Sequence, residues 1–223
     1  GGMVMAPQYD FGRSRCRSYD PRLRPWYAEG VAGAKNVVII VNGATSVATE
    51  ELLTLKQGAK AVLGTLAAGD TATVIVARTG STGPQYNVIG DAASTDKTYR
   101  DCHDGQMLRA TLVNKALLHR YIDEIQRDGT GETDLAPAMD KAKSLLQHQR
   151  SFAQTNYPSI NSTDIVVVFD RASGRSHAGL KAVKDSYTVS GKGPFWFLYE
   201  LGSDAVASGT GGVFDRHEQL TVA

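Results

Sequence analysis

The strongest constraint on the fold is a continuous run of branched apolar residues at positions 37–41, Val-Val-Ile-Ile-Val, followed by a stretch with helical periodicity. A run of this kind is typical of a strand that is covered on both faces. The apolar residues after it recur at helical spacing and predict one buried face of a helix that ends near Gly69. These residues are Leu52, Leu55, Ala59, Val62, Leu63 and Leu66. The pattern therefore predicts a sheet flanked by helices.

The same alternation continues along the chain and predicts a doubly wound, mostly parallel α/β sheet of about six strands. Further strands are predicted at residues 71–77, 86–89, 165–169, 195–201 and 211–214, with 86–89 as an antiparallel edge strand and 211–214 as the final edge strand. Further helices are predicted around residues 118–125, 135–146 and 178–184, with a turn or short helix at 204–208 and a long loop at 92–105.

The composition excludes several classes of function. The 223 residues are 42% hydrophobic and 21% charged, which is enough for one sizeable core. The formal net charge is +1, and basic and acidic residues are interspersed, so we expect no nucleic-acid partner. No apolar run approaches the length of about 18 residues that a membrane-spanning helix needs. The start, Gly1-Gly2-Met3, lacks the features of a secretion signal, and we expect an internal fragment.

The sequence also lacks the common enzyme motifs. The residues after the first strand, Asn42 to Ser46, do not supply the glycine pattern of a dinucleotide-binding turn. Lys192 is followed by glycine rather than by the Ser or Thr of a phosphate-binding loop. None of the five histidines belongs to an H-E-x-x-H motif, and no G-x-S-x-G elbow precedes a helix. We therefore expect a protein without enzymatic activity.

Three polar loops follow predicted strands or helices at one end of the sheet. The first is residues 42–46, the second is residues 129–134 with the sequence Gly-Thr-Gly-Glu-Thr-Asp, and the third follows Phe169. Ligands of doubly wound sheets normally bind at the carboxyl ends of the central strands. These three loops are therefore the first candidates for a functional site.

A cluster of aromatic and basic residues precedes the first strand, in the sequence Y-D-P-R-L-R-P-W-Y at residues 19–27. This cluster, the three loops and the Asn114-Lys115 pair together resemble the von Willebrand factor A (VWA) domain of the alpha-2-delta auxiliary subunits of voltage-gated calcium channels. In that family a small-molecule-sensing Cache domain is interrupted by a VWA domain. The resemblance implies a Cache-type segment at residues 1–34, a VWA domain at 35–216 and a tail at 217–223.

In the VWA family the three loops form a metal-ion-dependent adhesion site from an Asp-x-Ser-x-Ser loop, a Thr and an Asp. The matching first-loop positions here are Asn42, Ala44 and Ser46, and the second loop keeps Thr133. In the third loop, the resemblance places Asp170 one residue early and Arg171 where the family has its Asp.

The resemblance therefore implies a degenerate site that is held together by hydrogen bonds. An amide oxygen is a poor substitute for a carboxylate, because Mg²⁺ prefers charged oxygen ligands in near-octahedral geometry. We expect no cofactor, and weak binding of Mg²⁺ or Ca²⁺ at most.

The residues Tyr19, Arg24, Trp26 and Tyr27 match the pocket signature of amino-acid-sensing Cache domains. Arginine binds a carboxylate through two hydrogen bonds, and aromatic faces attract an ammonium group. We expect these residues to bind a free amino acid in the full ectodomain only. The alternative is that Arg24 pairs with Asp20 and Trp26 is a structural anchor.

The predicted function is an adhesion-type, protein-binding VWA domain of an extracellular or cell-surface protein, with a partner of channel or matrix type. The alternative is an amino-acid-sensing receptor ectodomain in which the VWA insert is a scaffold. Cys16 and Cys102 lack metal-binding spacing, and the sequence leaves open whether they form a disulfide.

Overall fold

One mixed sheet of seven strands, with helices on both faces, forms the described part of the chain. The computed structural model describes residues 33–80, 83–88, 106–129, 131–156, 162–171, 185–186, 193–201 and 216–220. The strands are β1 (Ala34–Asn42), β2 (Thr71–Gly80), β3 (Gly83–Val88), β4 (Leu108–Arg109), β5 (Ser162–Arg171), β6 (Phe195–Leu201) and β7 (Arg216–Leu220). The longer helices are α1 (Thr49–Gly64), α2 (Leu112–Glu124) and α3 (Ala136–Asn156).

The order of the strands in the sheet is β3-β2-β1-β5-β6-β7, and β4 pairs with β2. The strands from β2 to β7 in this order are parallel, whereas β3 and β4 run antiparallel to β2. The predicted doubly wound, mostly parallel sheet and its antiparallel edge strand are therefore confirmed. The predicted count of six strands is not confirmed, because the two-residue β4 adds a seventh.

The central strand β1 is buried on both faces, as its continuous apolar run predicts. Val37, Ile39 and Val41 pack in the core layer of α1 and α2. Val38 and Ile40 pack in the core layer of α3 on the other face of the sheet. Side chains alternate between faces along a strand, so each core receives every second residue of β1. This alternation also decides on which face the polar residues at both ends of the strand lie.

Helix α1 packs on the sheet through the apolar face that its sequence predicts. Its buried residues are Leu52, Leu55, Ala59 and Leu63. At its start the carboxylate of Glu51 accepts a hydrogen bond from the backbone N–H of Ala48 at 2.7 Å, which satisfies one of the free N–H groups of the first turn. The helix ends at Gly64, five residues before the predicted end near Gly69.

The contact between α1 and β5 is close because Gly58 faces the ring of Phe169. A Cβ atom at Gly58 would lie 2.5 Å from Cε1 of that ring. The other side of the Phe169 ring is fixed as well, because it stacks on Tyr199 with ring centroids 5.2 Å apart. Glycine is therefore required at position 58 by packing rather than by backbone conformation.

Some predicted elements lie outside the part of the chain that the structure describes. These are the loop at 92–105, the helix at 178–184, the turn or helix at 204–208 and the strand at 211–214. The last strand that the structure describes, β7, begins at Arg216 and is parallel to β6. It extends past residue 216, where the sequence analysis ended the domain.

We expect Gly58→Ala to destabilise the protein by about 1–3 kcal/mol, because the added methyl group overpacks the fixed Phe169 ring. Gly64→Ala is the matched control in the same helix, because a Cβ atom there would have no heavy atom within 4 Å. The control should be neutral or stabilising by less than about 1 kcal/mol. Urea unfolding of both variants measures the difference. Equal stabilities of the two variants would contradict the packing described for Phe169.

Candidate functional site

The first and second loops meet at the carboxyl ends of β1 and β2. We define the first loop as residues 43–48 and the second as residues 125–135. The N–H of Gly43 donates to the carbonyl of Ala77 at 2.8 Å, and the carbonyl of Gly43 accepts from the N–H of Asp128 at 3.0 Å. The hydroxyl of Thr45 donates to the carbonyl of Gly129 at 3.1 Å. The protein's own hydrogen bonds therefore join the loops to each other and to the sheet.

A buried hydrogen bond between Asn42 and Asp170 lies at the centre of the site. The amide nitrogen Nδ2 of Asn42 donates to Oδ1 of Asp170 at 2.6 Å. The amide oxygen of Asn42 accepts the N–H of Ala44 at 2.9 Å, and Oδ1 of Asp170 also accepts the N–H of Arg171 at 2.7 Å. Both side chains are almost fully buried, at 0% and 1% exposure. The two side chains thus hold the first loop and the end of β5 together.

The prediction that Asp170 lies one residue early is wrong. Val41 pairs with Phe169 in the parallel register of β1 and β5, so Asn42 and Asp170 come next on the two strands and lie on the same face. The same register pairs Asn36 with Asp164 at the other end of the strands. The equal spacing of the two Asn and the two Asp residues is the sequence signal that indicates this register.

Arg171 lies on the opposite face of the sheet from Asp170, toward α1. Its guanidinium donates to the carbonyl of Ser46 at 2.5 Å, and its Nε lies 3.6 Å from the carboxylate of Glu51. The expectation was that Arg171 takes the place of the family's aspartate. The side chain of Arg171 instead points to the other face of the sheet, so it does not take that place. It connects the end of β5 to the first loop and to the first turn of α1.

Two buried hydroxyl groups of the site have no hydrogen-bond partner among the described residues. They are Oγ of Ser46 and Oγ1 of Thr133. Thr133 is 1% exposed, and Ala44 between Asn42 and Ser46 is 0% exposed. A buried polar group without a partner costs about 1–3 kcal/mol. The hydroxyls of Ser46 and Thr133 are thus present at positions of the predicted site, and no described residue bonds to them.

The second loop depends on a glycine that approaches β2 closely. Gly129 has a φ angle of +94°, and a Cβ atom there would lie 2.0 Å from the carbonyl oxygen of Thr79. The hydroxyl of Thr79 donates to the carbonyl of Glu132 at 2.6 Å, further along the same loop. At the end of the loop, the carboxylate of Asp134 accepts the N–H of Ala136 at 2.9 Å, at the start of α3. The loop is therefore held at both ends.

This donor set is a poor fit for a tightly bound Mg²⁺ ion. Mg²⁺ needs near-octahedral oxygen ligands, usually with one or two carboxylates. Among the described residues at the positions of the predicted ligands, Asp170 has the only carboxylate, and its Oδ1 already accepts two hydrogen bonds. The oxygen of Asn42 is used by the first loop. The two hydroxyls of Ser46 and Thr133 remain as neutral ligands.

The other predicted site lies outside the described residues. Tyr19, Arg24, Trp26 and Tyr27 all belong to it, so their role in binding an amino acid stays a prediction. Cys16 and Cys102 lie outside as well. Among the described helices, none is long and apolar enough to cross a membrane.

The mixed sheet with helices on both faces matches the fold of VWA-like proteins. Among solved structures, proximal thread matrix protein 1 from the mussel byssus matches 85% of this chain and 42% of its own, with a TM-score of 0.52 and 11% identity. The manganese-loaded TRAP protein of Plasmodium vivax matches 75% of this chain and 57% of its own, with a TM-score of 0.50 and 9% identity. These likenesses concern the fold.

In sequence, the chain is similar to the alpha-2/delta-3 subunit of the voltage-dependent calcium channel of Homo sapiens. The two are 27% identical over 156 residues, which cover 70% of this chain. The match spans only 12% of the length of that subunit. No family model matches the chain. The chain thus has a fold of the VWA type and is similar in sequence to part of an alpha-2/delta-3 subunit.

Proposed function

We propose that this chain is a non-enzymatic, adhesion-type VWA domain that binds a protein partner without a tightly bound metal ion. The observation that carries the proposal is the hydrogen bond between Asn42 and Asp170, which occupies the centre of the site with protein groups. In a metal-dependent site the ion holds the loops together. Here hydrogen bonds hold them, and the face formed by the loops is ready for a partner without an ion.

The connections between the loops support this proposal. Arg127 of the second loop donates to the hydroxyl of Thr49 at 2.8 Å and to the carbonyl of Thr45 at 3.4 Å. Arg78 of β2 pairs with Asp128 at 3.0 Å. Together with the contact of Arg171 with Ser46, these bonds link the first loop, the second loop and the end of β5. Binding by a preorganised surface avoids the entropic cost of ordering loops.

The similarity to an alpha-2/delta-3 subunit supports an extracellular or cell-surface setting and a partner of channel or matrix type. The mussel byssus protein, a thread matrix protein by its name, supports the matrix alternative only through its fold. The TRAP neighbour is described as manganese-loaded. In our proposal this chain differs from that protein, because the site of this chain binds Mg²⁺ or Ca²⁺ weakly at most. The activity of a longer parent protein is part of the same proposal.

The interaction itself can be tested with photo-crosslinking side chains. We expect a crosslinker at Thr45, in the first loop, to label either a calcium-channel pore subunit in membranes or a layer of extracellular-matrix protein. Labelling should be the same in Mg²⁺ and in EDTA. A crosslinker at Gln147, which is exposed on α3, is the control and should label neither. Labelling that needs the metal ion, or equal labelling from both positions, would contradict the proposal.

We expect the protein to show no binding of Mg²⁺ or Mn²⁺ in calorimetry at millimolar metal. The reason is that Asp170 has the only carboxylate among the described residues at the predicted ligand positions, and its Oδ1 already accepts two hydrogen bonds. A dissociation constant in the low micromolar range that rises in Thr133→Ala would show that the site is a working metal site. In that case the metal-independent part of the proposal fails.

We expect Asn42→Asp combined with Ala44→Ser to create weak Mg²⁺ binding, because Asp170 already lies on the same face as position 42. The added carboxylate and hydroxyl supply the hard oxygen ligands that the ion needs. Asn36→Asp is the matched control, because Asn36 makes the same hydrogen bond to Asp164 at the other end of the strands. Thermal unfolding should show stabilisation by Mg²⁺ in the double variant and none in the control. Equal responses of the two variants would mean that the loops do not have the geometry of a metal site.

A further inference from the structure

A cavity of about 280 Å³ lies at the amino ends of β1, β2 and β5, at the opposite end of the sheet from the loops. It is open to the surface on one side. Three groups of residues form it, from the ends of the strands, from β4 and from the last turns of α3. Those that matter here are Asn36, Thr71, Ser162, Arg109, His148 and Phe152.

The strand residues of the cavity form a hydrogen-bond network around the amide of Asn36. Nδ2 of Asn36 donates to Oγ of Ser162 at 2.9 Å and to Oδ1 of Asp164 at 2.8 Å. The oxygen of the same amide accepts the hydroxyl of Thr71 at 2.8 Å. Asn36 and Thr71 are buried, at 4% and 8% exposure. This part of the cavity is therefore polar, and hydrogen bonds connect its side chains.

The acidic residues near the cavity are neutralised by other groups. Asp164 pairs with Arg150 at 2.6 Å. Asp70 accepts the backbone N–H groups of Lys35 and Ala67 at 2.9 and 2.8 Å, and its carboxylate lies 3.7 Å from the ammonium group of Lys35. Neither acid lines the cavity. The described lining thus contains no carboxylate.

The lining does contain a cation and a titratable ring. Arg109 and His148 both line the cavity and are both exposed. The guanidinium of Arg109 makes no hydrogen bond or ion pair with the described residues, whereas its backbone carbonyl accepts the amide of Asn114 at 2.9 Å. A free guanidinium binds a carboxylate with two parallel hydrogen bonds. The charge of the lining therefore favours an anion.

An aromatic ring adds an apolar surface beside these charges. Phe152 lines the cavity and is 53% exposed, one of only five large hydrophobic residues that are exposed in the described part of the chain. Aromatic rings bind other rings by stacked or edge-to-face contact. The ligand that matches both the arginine and the aromatic ring of the lining has an anionic head and a flat apolar body.

We propose that this cavity binds a small aromatic carboxylate, with the carboxylate on Arg109 and the ring against Phe152. Its volume of about 280 Å³ lies just below the range of about 300–1,000 Å³ for ligand pockets, so the ligand is smaller than a typical drug. The site is at the far end of the sheet from the loops. It binds its ligand whether or not the loops bind a protein partner.

The test uses benzoate as the probe and the full 223-residue chain in ¹⁵N-edited NMR spectra. Benzoate should cause saturable shifts of amides that line the cavity. Benzyl alcohol and benzylammonium, which have the same ring without the negative charge, should bind at least about tenfold more weakly, since a charge-assisted hydrogen bond is stronger than a neutral one. Acetate, which has the charge without the ring, should also bind more weakly than benzoate.

Three variants separate this site from general attraction between charges. Arg109→Gln should weaken benzoate binding by about tenfold or more, because it removes the cation of the lining. Arg120→Gln, which removes an exposed arginine of α2 outside the cavity, should leave binding unchanged. Phe152→Ala should weaken benzoate binding and leave acetate binding unchanged.

The proposal is overturned if benzoate and benzyl alcohol bind equally, if Arg109→Gln and Arg120→Gln have equal effects, or if benzoate causes no saturable shift. The NMR spectrum of each variant also reports its folding, so that a loss of binding in an unfolded variant is recognised. In a variant that does not fold, Arg109→Lys replaces Arg109→Gln. Arg109→Lys keeps the charge and loses the paired geometry of the guanidinium. It should therefore bind benzoate more weakly than the unchanged chain and Arg120→Gln do, but more strongly than the unchanged chain binds acetate.

Discussion

The register between β1 and β5 is the constraint on which the rest of the structure depends, and two hydrogen bonds between Asn and Asp side chains fix it. At the amino end, Asn36 donates to Asp164 at 2.8 Å, and at the carboxyl end, Asn42 donates to Asp170 at 2.6 Å. A slip of one residue in this register would turn every side chain of the strand to the other face of the sheet. The apolar side chains of the strand would then pack in the wrong core layer. The centre of the sheet is thus fixed at both ends by the same chemical pair.

The two pairs differ in what surrounds them, and this difference separates the two ends of the domain. At the amino end, Asp164 has Arg150 as a second partner, and a polar cavity opens beside the pair. At the carboxyl end, Asp170 is bonded to Asn42 and to the backbone of Arg171, and the loops close over it. A buried carboxylate is stable only when such partners compensate its lost hydration. The surroundings of each pair therefore decide which end is open to a small molecule and which end presents a surface.

The sequence predicted the parts of the fold that depend on local patterns. The apolar run of β1, the buried face of α1 and the antiparallel edge strand all follow from periodicity and turn residues. The two-residue β4 is too short to leave a pattern. The positions of Asp170 and Arg171 depend on the pairing of strands that are far apart in the sequence, so periodicity along one strand does not fix them. The cavity combines residues from β1, β4 and α3, and no local motif unites them.

The two unpartnered hydroxyls of Ser46 and Thr133 have a consequence for the balance between stability and function. Replacing a buried hydroxyl that has no partner by an apolar group of similar shape is neutral or stabilising. No hydrogen bond among the described residues offsets the burial of these two hydroxyls, so the described contacts do not account for their presence. Protein sites commonly give up stability where a surface has another task. In this domain, both hydroxyls lie in the two loops that meet at the carboxyl ends of β1 and β2.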